Sequence, residues 1–115
     1  RVPSFEIQLA RALAGQGRRA EAEELFASGF EALAKTMPPD HIVLGEIRKF
    51  RGLNLAQLNR PDEARNELTK AHAIYAANLG PTCPSAVGIA RALAKLARER
   101  KDDAEAERWQ RASEP

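Results

Sequence analysis

The chain has 115 residues, 43% of them hydrophobic and 30% charged, a balance that suits one globular domain with a modest core. A formal charge of +2 is too small to impose a nucleic-acid partner, and no apolar run approaches the roughly 20 residues that a helix crossing a membrane needs. The single cysteine, Cys83, can form no internal disulfide or metal site alone and leans towards an intracellular, cytoplasmic location.

Alanine, at 22 residues, joins Leu, Arg and Glu in favouring helix, and β-branched residues are scarce, so the chain is expected to be all-α. Pro3 and Ser4 open the first helix, whose apolar stripe reads Phe5, Leu9, Ala12 and Leu13. Gly15 and Gly17 stop it. The second helix is expected from Arg19 to about Lys35, with Ala22, Leu25, Phe26, Gly29 and Leu33 facing inward, and Met37-Pro38-Pro39 ends it. Asp40 is the expected N-cap of the third, which carries Leu44, Ile47, Leu55 and Leu58. Pro61 begins the fourth, which turns Ala64, Leu68, Ala71 and Tyr75 inward as far as about Asn78. Ser85 is the expected cap of the fifth, with Ile89, Leu93, Leu96 and Ala97. Asp102 or Asp103 starts a shorter sixth with Ala106, Trp109 and Gln110.

These six segments repeat. Leu13 to Ala22 returns at Leu55 to Ala64 and more faintly at Ala97 to Ala106, so each copy lies 42 residues after the last. Phe5, Ile47 and Ile89 keep that spacing, as do Ala22, Ala64 and Ala106. Ala10, Gly52 and Ala94 are all small, as close approach of two helices in a hairpin requires. A period of this length marks a solenoid of stacked supersecondary units.

The order of residue types then narrows the class. Leu9-Ala10, Leu13, Gly17, Ala22, Phe26 and Gly29 resemble the tetratricopeptide (TPR) signature of large, small, bulky, turn, Ala, bulky and small. Arg51-Gly52, Leu55, Asn59, Ala64, Leu68 and Ala71 fill the same places. Leu93-Ala94, Ala97, Lys101, Ala106 and Gln110 do so weakly. The standard repeat has about 34 residues, so these longer units, with Leu79-Gly80-Pro81 to Pro84 as linker, look like the kinesin-light-chain-like subgroup. The resemblance implies one domain over 1–115, a right-handed α-solenoid of three antiparallel helix hairpins in repeats 3–39, 40–81 and 82–115. Arg51 departs from it, standing where a large apolar residue belongs. The start at Arg1 rather than Met, and the abrupt opening at Pro3, point to a piece of a longer polypeptide with more repeats or another domain ahead.

No catalytic constellation emerges. His41 reads as a linker residue and His72 as an ordinary half-buried or surface histidine, neither at metal-ligand spacing from Asp, Glu or Cys. Cys83 has no nearby His to activate it. Gly15-x-Gly17 lacks the third glycine and the preceding strand of a phosphate-binding loop. The expectation is no enzyme, no cofactor and no metal. The resemblance implies instead a concave groove lined by the first helix of each hairpin, the usual peptide-binding face of such arrays. Transferred to this chain, its positions are Ile7, Arg11 and Ala14, then Glu46, Lys49, Leu53 and Gln57, then Arg91, Lys95, Arg98 and Glu99. The positive balance there suggests an acidic or phosphorylated peptide, since Arg and Lys complement carboxylate and phosphate. A clamp for chaperone tails is disfavoured, because Ile7, Arg11, Phe50, Gly88 and Ala92 do not match its residues.

The expected function is therefore a protein-interaction scaffold or adaptor. One rival is self-association, or structural regulation of a neighbouring kinase or regulatory domain, with Phe30 and Trp109 as exposed apolar contacts. The other is nucleic-acid binding through the basic groove, disfavoured because only Phe50 among the aromatics lies near it. The excess of 13 Arg over 5 Lys with abundant Ala suggests a bacterial source.

Overall fold

The computed structural model describes residues 2–114; Arg1 and Pro115, the limits of the expected domain, lie outside the described residues. Among those described there are six helices and no strand: α1 (Pro3–Gly15), α2 (Arg19–Ala34), α3 (Ile42–Gln57), α4 (Pro61–Leu79), α5 (Pro84–Glu99) and α6 (Asp103–Ala112). They pair as three hairpins, α1 with α2, α3 with α4 and α5 with α6, and the hairpins stack through α2 on α3 and α4 on α5. The array measures 42 × 29 × 19 Å.

One local device turns each hairpin. At Gly17, Asn59 and Lys101 the backbone passes through positive φ, 83°, 59° and 63°. The next N–H, of Arg18, Arg60 and Asp102, reaches back to the carbonyl of Leu13, Leu55 and Ala97 at 2.9, 3.0 and 2.9 Å. This is the Schellman arrangement, which satisfies helix-end carbonyls that would otherwise lack partners. Ala22, Ala64 and Ala106, five residues beyond the turn position, are buried beneath it. The 42-residue spacing read from the sequence is thus the spacing of a repeated backbone turn.

The helix starts differ from expectation at two of the linkers. His41, not Asp40, caps α3, its Nδ1 accepting from the Val43 N–H at 3.1 Å. Cys83, not Ser85, caps α5, its Sγ accepting from the Ala86 N–H at 3.4 Å. Both are extended residues just outside the helix, so the backbone geometry chose the cap and the side chain supplied what acceptor it had. Asp102 caps α6 through the Glu105 N–H.

The inward faces also need correction. Ile7, Ala10 and Leu13 are the buried apolar residues of α1, while Phe5 and Leu9 face solvent. The counterparts of Phe5, Ile47 and Ile89, are buried because α3 and α5 each have a hairpin stacked against that side. Gln110 is exposed on α6. Trp109 is buried rather than available for contacts, and Phe30 is half-buried with the Arg48 guanidinium 4.4 Å above its ring.

Two apolar clusters hold the stack. Ile7, Ala10, Leu13, Ala22, Phe26, Leu44 and Ile47 bind the first hairpin to the second. Leu68, Ala71, Tyr75, Ala86, Ile89, Ala90, Leu93, Ala94 and Trp109 bind the second to the third. Beside the first cluster lies a largely buried ionic network. Arg51 of α3 donates through Nε to both carboxylate oxygens of Glu23 on α2, and through Nη1 to Glu67 on α4 at 3.2 Å. Arg48 also reaches Glu67, at 2.5 Å.

Candidate functional site

The inner helices α1, α3 and α5 line an open groove of about 960 Å3. Its walls follow the 42-residue translation. Gln8, Phe50 and Ala92 form one row, Arg11, Leu53 and Lys95 a second, Ala12, Asn54 and Leu96 a third, and Gly15, Gln57 and Glu99 a fourth. Phe26 of α2 and Leu68 of α4 reach it from behind. A smaller recess continues the groove between Lys49, Phe50, Leu53 and the start of α5 at Pro84, Ser85, Gly88 and Ile89.

Phe50 and Leu53 sit where the two recesses meet. Leu53 is exposed although it stands mid-helix, and Phe50 is half-buried. The Arg11 guanidinium lies 4.1 Å from the Phe50 ring centroid and the Lys49 ammonium 4.8 Å from it. Lys49 also lies 5.4 Å from the Tyr75 ring centroid. Cation–π contact is worth about 0.5–1 kcal/mol at an exposed site, enough to bias where these side chains stand while leaving their N–H groups unspent. Asn54 is held by its own bond to the Arg19 carbonyl at 2.9 Å, which fixes the groove wall between hairpins.

Eight of the arginines are already engaged. Arg18, Arg48, Arg51, Arg60, Arg65, Arg100, Arg108 and Arg111 all form ion pairs with Glu or Asp. Arg11, Lys49 and Lys95, around the groove, have no acidic partner within ion-pair distance among the described residues. Glu21, Glu23, Glu63, Glu67, Glu105 and Glu107 are among the acids that these arginines engage. Hydrogen bonding from Arg65, opposed by desolvation, holds the Glu105 carboxyl below the usual range.

Of the positions expected to form the groove, the structure brings together Arg11, Ala14, Leu53, Gln57, Lys95 and Glu99, with Lys49 in the adjoining recess. Ile7 is buried, its side chain against Gly29. Arg91 and Glu46 are exposed but line neither recess, and Arg98 bonds to Gln110 of α6. Gln8 and Asn54 line the groove without having been expected there, and Phe50 and Ala92, considered only as positions of a chaperone-tail clamp, are part of its wall. The signal that would have found them is the period itself, since translating Arg11 and its neighbours by 42 residues generates every row.

Neither histidine belongs to the groove. His41 is a cap, and His72 packs edge-on to Trp109 with ring centroids 5.0 Å apart, where burial pushes its pKa down. Among the described residues no group of three or more His, Cys, Asp or Glu is placed to hold a metal ion, and no helix is long and apolar enough to cross a membrane.

Comparison with known proteins agrees with this geometry. Residues 7–42 match the tetratricopeptide repeat family. BtubC (BKLC) from P. vanneervenii superposes with a TM-score of 0.89 at 15% identity, covering 96% of this chain and 44% of that one. A Podosopora anserina protein with nearly identical TPR-like repeats of kinesin-light-chain type gives 0.80 at 23% identity, covering 96% of this chain and 52% of that one. The chain thus spans about half the length of these solved relatives. No curated protein sequence matches it. At these identities the likeness establishes the fold, a TPR-like α-solenoid of three hairpins.

Proposed function

We propose that this TPR-like solenoid is a protein-interaction module, with a binding rather than a catalytic role, that takes an extended acidic or phosphorylated peptide segment in the groove of α1, α3 and α5. The observation that carries this reading is the pairing of an apolar platform, Phe50 and Leu53, with the unpartnered cations Arg11, Lys49 and Lys95 around it. An aliphatic or aromatic peptide side chain seated on that platform would gain about 1.5–3 kcal/mol if fully buried. Each carboxylate meeting a rim cation adds about 0.2–1 kcal/mol, reduced by salt. The apolar contact supplies most of the affinity and the charges supply selection for acid.

Arg11 and Lys95 occupy the same row on α1 and α5, with Leu53 between them. They would grip acids on either side of the apolar residue. Glu99, at the other end of the groove, repels a second acid there and gives the peptide a direction. The contribution of Arg91 and Arg98 is small, because one lies outside the groove lining and the other is engaged by Gln110.

Fluorescence anisotropy with short peptides, each carrying one central Leu among Glu residues or among Lys residues, tests this directly. The acidic peptide should bind and the basic one should not, and the affinity should fall as salt rises. Arg11→Glu with Lys95→Glu should weaken binding at least tenfold, about 1.4 kcal/mol, whereas Arg91→Glu with Arg98→Glu should change it little. Equal affinity for both peptides, or binding indifferent to Arg11 and Lys95, would overturn the proposal.

A further inference from the structure

The two joints of the stack differ at one set of equivalent positions. In the first joint Phe30 of α2, Arg48 of α3 and Glu67 of α4 meet. The Arg48 guanidinium lies 4.4 Å from the Phe30 ring centroid, and its Nη1 donates to Glu67 at 2.5 Å. In the second joint the same positions, 42 residues on, are His72, Ala90 and Trp109. Ala90 is fully buried and too short to bridge its neighbours. Here α4 and α6 meet ring to ring, with the centroids of His72 and Trp109 5.0 Å apart and their planes at 74°. Arginine keeps its charge at any ordinary pH, whereas histidine changes its own near neutrality.

The histidine contact matters most to α6. At ten residues it is the shortest of the six helices, and Ala106 and Trp109 are its buried residues. It packs along α5 and reaches α4 through side chains, Trp109 to His72 and Glu105 to Arg65.

The surroundings of His72 suit its neutral form. Trp109 is only 8% exposed, and its Nε1 and the Nε2 of His72 are both buried without a hydrogen-bond partner among the described residues. α5 contributes Ala86, Ala90, Leu93 and Ala94 to the cluster that holds Trp109, none of them charged. α6 brings Arg108, whose guanidinium lies 5.0 Å from the Trp109 ring centroid. Glu105, one turn before Trp109, is taken up by Arg65 of α4 and by Arg100. On α4 itself, burial pushes the pKa of Tyr75 up, so it stays a neutral phenol. No carboxylate pairs with His72, and burial pushes its pKa below 6.5. A protonated imidazole carries an N–H on both nitrogens. A proton on Nε2 would thus face no acceptor, beside an indole that already has a guanidinium against it. An unpaired buried charge is costly, and movement of α6 away from α4 relieves it.

We propose that His72 and Trp109 form a pH-sensitive latch, which holds α6 against the stack while His72 is neutral and lets α6 detach when His72 gains a proton. Because burial sets the folded pKa below the unfolded one, the hold is complete above about pH 6.5 and is lost as the pH falls through the folded value. The first joint, fastened by Arg48, has no histidine at the equivalent place. α6 backs α5, the third wall of the groove, and its Gln110 holds Arg98. The latch therefore makes that wall respond to pH whatever the groove binds.

Amide hydrogen exchange of the 115-residue chain at about pH 7.5 and 5.5, each referred to intrinsic exchange at that pH, tests the latch while most carboxylates stay ionised. Protection of the α6 amides should fall severalfold, at most about tenfold over the one unit below 6.5, while α2 and α3 keep theirs. The emission of Trp109, the only tryptophan, should shift to the red over the same range. An NMR titration of the His72 imidazole should give a pKa below 6.5. His72→Phe, which repeats at 72 the ring that α2 carries at 30, keeps the packing without the proton and should leave α6 protected at both pH values. Protection of α6 indifferent to pH, an equal fall in His72→Phe, or a His72 pKa above 6.5 because the indole stabilises the cation, would overturn the proposal. So would a loss of protection in all six helices together, since α6 would then not detach on its own.

Discussion

Arg51 shows what a single residue type can hide. In the other two repeats its position is leucine, at 9 and 93, so pattern alone makes Arg51 a blemish in an apolar stripe. In the fold it is the centre of the network that joins α2, α3 and α4, with Glu23 and Glu67 both buried around it. Buried carboxylates are costly unless paired, and removing one partner of such a set costs more than the set contributes as a whole. Restoring the apolar residue should therefore be harmful. Arg51→Leu should destabilise the chain by about 2–3 kcal/mol, discounted from the 3–5 of a fully buried pair because the arginine retains some exposure. Adding Glu23→Gln should recover most of the loss. Urea denaturation of both variants checks this, and an Arg51→Leu protein as stable as the parent would show that the network contributes no such penalty. The partners lie 28 and 16 residues away. No local pattern announces them.

At the scale of the helix, most boundaries were legible because Gly and Pro punctuate them at a fixed interval. Gly17 and Gly80 adopt positive φ, and Pro61 and Pro84 open helices where a missing N–H does no harm. What the sequence could not tell was which face of a helix finds a neighbour. Phe5, Leu9 and Leu13 satisfy the periodicity of a buried stripe, yet the first two look outward, since periodicity reports two apolar sides of α1 without reporting what stacks on each. The caps were misread for a related reason. Residue preferences favour Asp40 and Ser85, but His41 and Cys83 occupy the extended positions from which a side chain can accept the first free N–H.

Close packing within a hairpin makes a sharper forecast about two glycines in helices. A Cβ on Gly52 would lie 2.7 Å from Leu68 Cγ, whereas one on Gly88 would meet nothing within 4 Å. Gly52→Ala should thus destabilise the α3–α4 hairpin by about 1–3 kcal/mol through overpacking. Gly88→Ala should stabilise α5 by about 0.5–1 kcal/mol through reduced backbone entropy. Thermal melts of the two variants should move in opposite directions, and a shared direction would count against the packing described for Gly52.

For the whole molecule, repetition turns local residues into a surface. Rows at positions 8, 11, 12 and 15 recur along α3 and α5, so one short helix motif becomes a continuous groove. Half of that surface was readable in advance. Arg11, Leu53, Gln57 and Lys95 follow from knowing which helix of a hairpin faces inward. The place of Phe50 near the groove was legible too, but not the two cations over its ring, because Arg11 and Lys49 reach it from different positions. Arg98 resembled a groove residue until α6 supplied Gln110 to hold it. Arg11, Lys49 and Lys95 stand around the groove without an ion-pair partner among the described residues, and the proposed preference for acid rests on them.

The most direct test of that preference is to titrate the isotopically labelled chain with the acidic Leu-bearing peptide and follow its amide resonances by NMR. Shifts concentrated at Arg11, Phe50, Leu53 and Lys95, with Glu23, Arg65 and Glu105 on other faces undisturbed, are the predicted result. Shifts centred outside the inner faces of α1, α3 and α5, or none at saturating peptide, would contradict the account.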